Sequence, residues 1–351
     1  MALNFILKNE YTSYVEDMLI ENNEDKVNNI ILKSDANILL KNTIFFDFET
    51  ATYDNMRGHK PYFNHMIKYF NDKHEEDKTL IHYKNSNDVQ QDTFNYIMNV
   101  VNRQCKAYYK AKIEGDAPKI NSLRNPLYLC HYNGANFDMY FFIRSLLNSK
   151  YAERYSSKCI FKGGTLVSFM LFDSETGKMA IKSHDICQIT NCSLDKACEG
   201  YLGQKLKGKF PHFFINRQFF NDKDILNKSF DLSPSDYPKK DRDNLTDADL
   251  KNFNVYDNLL KYAKNDVEIL VKLYQSMNEN IFTRVLHADI LRFLTMGNAT
   301  NYGFMKHLPN ECYYKKQDKH HHSRAGNKLM TKLYLCDNKE NEINKRKYIR
   351  W

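Results

Sequence analysis

Ile44-Phe45-Phe46-Asp47-Phe48-Glu49-Thr50 sets two carboxylates inside a short run of strand-forming apolar residues. Side chains alternate along a strand, so Asp47 and Glu49 share one face while Phe46, Phe48 and Thr50 take the other. Like charges side by side repel, and an unpaired buried carboxylate either costs several kcal/mol or takes up a proton. A cation offsets that cost, and oxygen ligands on a rigid element suit Mg²⁺ or Mn²⁺. A surface strand with an acidic outer face fits the same triplet. The remainder of the chain decides between the two.

The chain has 351 residues, enough for one large domain or two smaller ones without disulfide staples. Its 8 cysteines are scattered and form no C-x-x-C pair, which reads as a reducing compartment and argues against a zinc ribbon. Lys and Arg number 51 against 43 Asp and Glu, a net charge of +8 that favours polyanionic partners. No window approaches the roughly 18 apolar residues of a membrane span. The segment 1–8 is too short, and meets Glu10 too soon, for a secretory signal. With 24 Tyr, 23 Phe and 1 Trp, the composition is that of an AT-rich coding sequence, as in an organelle, plasmid or virus.

Residues 1–42 read as a small appendage ahead of the acidic strand, and 51–58 as a polar loop. Residues 61–81 read as a second strand and its turn. Val89, Phe94, Ile97, Met98, Val101 and Cys105 recur at helical spacing and predict a helix over 88–112 that covers the sheet. A strand entered at Pro126 then runs into Asn133-Gly134-Ala135-Asn136-Phe137-Asp138 and an apolar helix. Asp138 at that helix start has an ordinary reading as a cap. Strands are expected in 159–172, broken at Gly163-Gly164, and in 179–186, with a helix over 193–205. The polar connection 221–249 reads as a surface insertion. Residues 254–277 form the clearest helix, with Tyr262 and Asp266 four apart on one face and Leu259, Leu260, Ile269, Leu270 and Leu273 in its buried stripe. A further helix is expected over 278–293, followed by a basic tail in which His320-His321-His322 reads as a solvated charge run.

Asp47-x-Glu49, Asn133-x-x-x-Phe137-Asp138 and Tyr262-x-x-x-Asp266 follow one another at domain-scale gaps. Together they resemble the three exonuclease motifs of the 3′→5′ proofreading domain of family B DNA polymerases, within the DEDD superfamily, and Tyr262 points to its DEDDy branch. Ser193-Leu194 with Ala197, and Lys207 with Phe210, are similar to two motifs of the protein-primed members. His212 stands where that subgroup often has Tyr. Leu294 to Asn298 and Arg346 to Trp351 resemble the lead into a polymerase domain. No D-x-x-S-L-Y-P, K-x-x-x-N-S-x-Y-G or Y-x-D-T-D motif is present. DNA synthesis is therefore not expected of this polypeptide alone, whether the polymerase half is a separate chain, is lost, or continues a longer protein.

The resemblance implies an α/β, ribonuclease H-like exonuclease fold: a mixed sheet flanked by helices, with a short N-terminal appendage (1–42), the exonuclease domain (43–293) and a basic C-terminal extension (294–351). It implies two Mg²⁺ or Mn²⁺ ions held by Asp47, Glu49, Asp138 and Asp266, with Tyr262 orienting the attacking water and Lys207 countering charge on the scissile phosphate. Thr50, Asn133, Phe137, Ser193, Leu194 and His212 would contact the DNA strand, Phe137 by stacking, although ordinary packing beneath its helix fits Phe137 equally. Lys315, Lys316, Lys319 and Arg324 would extend a basic groove, or form a merely soluble tail. The implied partners are a single-stranded DNA 3′ end, a polymerase chain or domain and a terminal protein, with no membrane. The implied setting is mitochondrial, viral or cytoplasmic. The competing expectation is an idle exonuclease-like module that binds nucleic acid within a larger assembly, and RNA stands as an alternative substrate.

Overall fold

The computed structural model describes residues 42–52, 59–70, 73–81, 86–162, 165–222, 224–286 and 288–307. The expectations for 1–41, for the 53–58 loop, for Gly163-Gly164 and for the basic tail beyond 307 lie outside the described residues.

Seven strands form one mixed sheet. The acidic strand is β1 (Asn42–Thr52). It is followed by β2 (His59–Phe70) and β3 (Lys73–Ile81), so the stretch expected to hold one strand and a turn is a full hairpin. β3 reads Lys-His-Glu-Glu-Asp-Lys-Thr-Leu-Ile, with charge where alternation would be sought, as suits the edge of a sheet. Helix α1 (Ser86–Glu114) buries all six residues that its periodicity marks. The short α2 (Ala117–Ser122) leads to β4 (Leu127–His131), then α3 (Asp138–Leu147), β5 (Tyr155–Lys162), β6 (Thr165–Asp173) and β7 (Met179–Asp185). Helices α4 (Leu194–Leu202), α5 (His212–Gln218) and α6 (Val255–Met277) complete the unit Asn37–Met277.

The strand order is β3-β2-β1-β4-β7-β6-β5, and β1, β4 and β7 run parallel in its centre. Their carboxyl ends therefore point the same way, and the loops that leave them gather at one edge, where open α/β sheets place their ligands. Phe46 and Phe48 turn to the face covered by α1 and α3, in one core with Phe94, Ile97 and Phe142. Gln90 of α1 ties the two helices by donating to Phe141 O at 3.0 Å and Ser145 Oγ at 2.9 Å. On the opposite face Phe45 meets Tyr274 of α6 edge-on, ring centroids 5.4 Å apart. This is the ribonuclease H-like arrangement, a mixed sheet flanked by helices.

The 221–249 connection is more than a polar excursion. Ile225 and Leu226 of the turn Ile225–Asn227, with Leu232 and Tyr237 on either side of the turn Pro234–Asp236, are buried in a second core with Phe214, Phe253 and Leu259. Apolar residues isolated in such turns have no period, which is why they read as surface. Beyond Met277 the described residues belong to a separate unit. The single helix expected there is instead a π-helix, Asn278–Leu286, and a 3-10 turn, Ile290–Arg292. Buried Asp289 starts that second turn by accepting Leu291 N–H at 2.8 Å, and α7 (Met296–His307) follows. Among the described residues no helix is long and apolar enough to cross a membrane.

Candidate metal centre

Two elements bring the acids together. β1 presents Asp47 and Glu49 on the face that packs on α6, because Phe45, on that same face, is pinned by Tyr274. Helix α6 is started by Asn254, whose Oδ1 accepts Asp257 N–H at 2.9 Å, and its pitch sets Tyr262 one turn before Asp266. One carboxylate oxygen from each of Asp47, Glu49 and Asp266 lies within 4.8 Å of the others. Glu49 and Asp266 are buried, and Asp47 is half-buried.

Asp138 opens helix α3, after the turn that leaves the neighbouring strand β4. It does not cap α3: the N-cap position is Phe137, and no side chain caps it. Asp138 Oδ1 instead accepts the N–H of Phe48 at 3.0 Å, which docks it on β1 between the two other acids. It stands outside the three-oxygen cluster, yet its charge acts on Asp47.

All four acids hold protons more tightly than ordinary carboxylic acids. Burial raises Asp47 well above the usual range, and Asp138, Glu49 and Asp266 push it further. Burial, and then Asp266, lift Glu49 to about 8. Burial also lifts Asp138, to about 7, against the Phe48 hydrogen bond that lowers it. Asp266 is raised by burial despite Lys207 and the Tyr262 hydroxyl, both of which favour its anion. Lys207 Nζ stands 3.4 Å from Asp266 Oδ2 and 5.8 Å from the Tyr262 ring centroid. Burial alone would lower the Lys207 pKa, but Asp266, Asp47 and Glu49 reverse the shift and raise it. One ammonium does not offset so many carboxylates. Among the described residues Asp266 Oδ1 has no hydrogen-bond partner, although it is buried, and a buried acceptor left unsatisfied is costly. Converging buried oxygens, mutual repulsion and an orphaned acceptor fit a hard divalent cation.

The expected DNA contacts divide. Thr50 is half-buried and its Oγ1 lies 3.1 Å from His59 Nδ1. Phe137 is not packed beneath its helix: it is 39% exposed, and its ring meets His59 edge-on at 5.0 Å. His59, which no sequence pattern singles out, thus joins Thr50 to Phe137 across the β1–β2 hairpin. Asn133 spends its side chain locally, its Oδ1 accepting from Asn136 Nδ2 at 2.7 Å. Ser193 is the N-cap of α4, and Leu194 begins that helix. Their neighbour Asp195 acts on both Lys207 and Asp266, so this helix start lies near the acids. His212 packs edge-on to Tyr262 with ring centroids 5.4 Å apart. Burial, then Lys207 and Lys240, lower its pKa to about 4, so it is neutral at pH 7.

A ribonuclease H-like sheet with clustered acids on its central strand and on the helix that packs on it defines a class of metal-type α/β domain. The chain belongs to the family of type B DNA polymerases, organellar and viral, whose family model matches residues 121–348. It is also similar to a probable DNA polymerase of Agaricus bitorquis, 28% identical over 184 residues, which are 50% of this chain and 22% of that protein. The chain thus spans about a fifth of the length of that relative. The family match contains Asp138, Lys207, Tyr262 and Asp266 but begins after β1. Asp47 and Glu49 are joined to the others by the fold itself.

Proposed function

We propose that this chain is a metal-dependent 3′→5′ exonuclease, the proofreading module of a family B polymerase, acting on single-stranded or frayed DNA ends. The observation that carries the reading is the convergence of Asp47, Glu49 and Asp266 oxygens within 4.8 Å, with Asp138 docked beside them on the Phe48 amide. Two divalent ions bound there would supply a hydroxide nucleophile and stabilise the departing 3′ oxygen.

The chain's own residues do the rest. Tyr262, whose hydroxyl favours the Asp266 anion, would orient the attacking water. That role needs an intact phenol, and burial, then Asp266, hold its pKa well above the usual value. Lys207 neutralises charge developing on phosphate oxygens. Phe137, exposed and braced by His59, offers a face on which a terminal base stacks, a contact of about 1–3 kcal/mol that tolerates any sequence. The unit ending at Met277 carries all of these groups.

The direct test is a 5′-labelled single strand incubated with Mg²⁺. Shortening from the 3′ end is expected, and binding without shortening would favour the idle module. Paired 2′-deoxy and 2′-hydroxy ends distinguish DNA from RNA. Tyr262→Phe and Lys207→Met are each expected to slow the chemical step by about 10²-fold while leaving DNA affinity within a few-fold. Single-turnover rates alongside equilibrium binding measure both.

A further inference from the structure

We propose that Asp185 is a positioning residue: by holding the 133–137 turn on its carboxylate it sets where Asp138 lies beside Asp47. The inference rests on reading Asp138 as a metal ligand.

Asp185 ends β7, in register with His131 at the end of the parallel strand β4, and it is 2% exposed. A buried carboxylate in that place must collect donors, and this one collects three. Its Oδ1 accepts the N–H of Asn133 at 2.8 Å and of Cys187 at 3.0 Å, and its Oδ2 accepts the N–H of Ala135 at 3.0 Å. Two of the three donors belong to the turn that carries Asp138. Charge-assisted bonds of this kind are roughly twice as strong as neutral ones, and here they grip a turn whose first residue, Asn133, has φ +60°.

The turn is clamped from beneath as well. His131 lies under Gly134, its Nδ1 3.7 Å from Asp185 Oδ2. A Cβ on Gly134 would fall 2.5 Å from His131 Nδ1 and 2.8 Å from Asp138 Oδ2, so only a glycine leaves room here for the ligand carboxylate. Asp138 is held at Oδ1 by the Phe48 N–H, while its Oδ2 occupies the space that a side chain at Gly134 would need. Met139 N–H donates to Gly134 O at 3.0 Å, which locks α3 to the same turn. Moving the turn moves Asp138. Asp185 grips main-chain amides rather than the clustered acids, so its mechanical influence runs through this backbone.

Asp185→Asn replaces an acceptor oxygen with an amide that faces a backbone N–H. Mn²⁺ titrations followed by electron paramagnetic resonance should show affinity reduced by about 10–100-fold, the cost typical of disturbing the support of a metal ligand. The Mn²⁺ concentration giving half-maximal 3′ degradation should rise in parallel, with the rate largely recovered at saturation. Asp185→Glu keeps the charge but moves the carboxylate off the Asn133 and Ala135 amides; it should lower Mn²⁺ affinity likewise, and it decides the matter if Asp185→Asn does not fold. Cooperatively melting variants that bind Mn²⁺ as the wild type does overturn the proposal, since a purely structural role lowers the melting temperature and leaves metal affinity alone. If the wild type binds Mn²⁺ but leaves DNA intact, the nuclease reading fails and the Mn²⁺ shift still tests Asp185. A wild type that binds no Mn²⁺ overturns both.

Discussion

Asp47→Asn combined with Glu49→Gln is expected to slow 3′-end hydrolysis by on the order of 10³-fold or more, equivalent to about 4 kcal/mol of transition-state stabilisation. In chelator, the same double variant is expected to melt at a higher temperature than the wild type. Both effects come from one cause. Asp47 is raised by burial and by all three other acids, and Glu49 by burial, Asp266 and Asp138. Without a cation these groups either ionise against one another or take up protons that the unfolded chain would release at neutral pH. Amides of the same shape keep the packing and remove the penalty, and they also remove the negative charge that would hold the ions. Stability and activity therefore move in opposite directions, as at other sites built for function. Single-turnover rates on a labelled strand and melting curves in chelator measure the pair. Wild-type rates in the variant would remove Asp47 and Glu49 from the mechanism and with them the metal centre as the seat of hydrolysis. Loss of activity with a lower melting point would attribute the loss to damaged folding.

The parts of this site that are legible in the sequence are those in which side chains recur at the period of their element. Asp47 and Glu49 alternate on a strand, and Tyr262 and Asp266 stand one helical turn apart, so each pair announces a shared face. The helix over Val255–Met277 and the buried stripe of α1 follow from the same periodicity. Asp138 is legible as an acid at a helix start, but its bond to Phe48 N–H is not, because a backbone donor 90 positions away leaves no pattern. Asp185 is the extreme case. The donors that its two oxygens accept from, at Asn133, Ala135 and Cys187, are main-chain amides, so it reads as any residue at the end of a strand. β3 and the 221–249 connection are hidden for a different reason. An edge strand bears charge on both faces, and isolated apolar residues in single turns bury themselves without repeating.

Metal-free protein is expected to lose stability as the pH rises from about 6.5 to 8, and saturating Mn²⁺ is expected to abolish the loss. Glu49 in the folded chain is pushed up to about 8 from an ordinary 4.5, and Asp138 to about 7 from 3.8. Below the ordinary values both states are protonated and nothing is lost. Above them the unfolded chain releases protons that the folded chain keeps, so unfolding gains about 1.4 kcal/mol per group per pH unit until the folded value is passed. The buried histidines work the other way. His184 falls to about 3 and His212 to about 4, both lowered by burial first, so their contribution is present above the ordinary 6.5 and is lost as the pH falls below it. The two effects oppose each other under acid conditions, and among the described residues with resolved shifts the carboxylates dominate above pH 6.5. A bound ion reverses their sign, because it requires the anions that burial disfavours. At a hundredfold excess over its dissociation constant it adds about 2.7 kcal/mol. Melting curves at pH 6.5 and pH 8, each with chelator and with Mn²⁺, test this directly. A chelated protein equally stable at both pH values would mean that these carboxylates do not carry the burial and repulsion on which the metal centre depends.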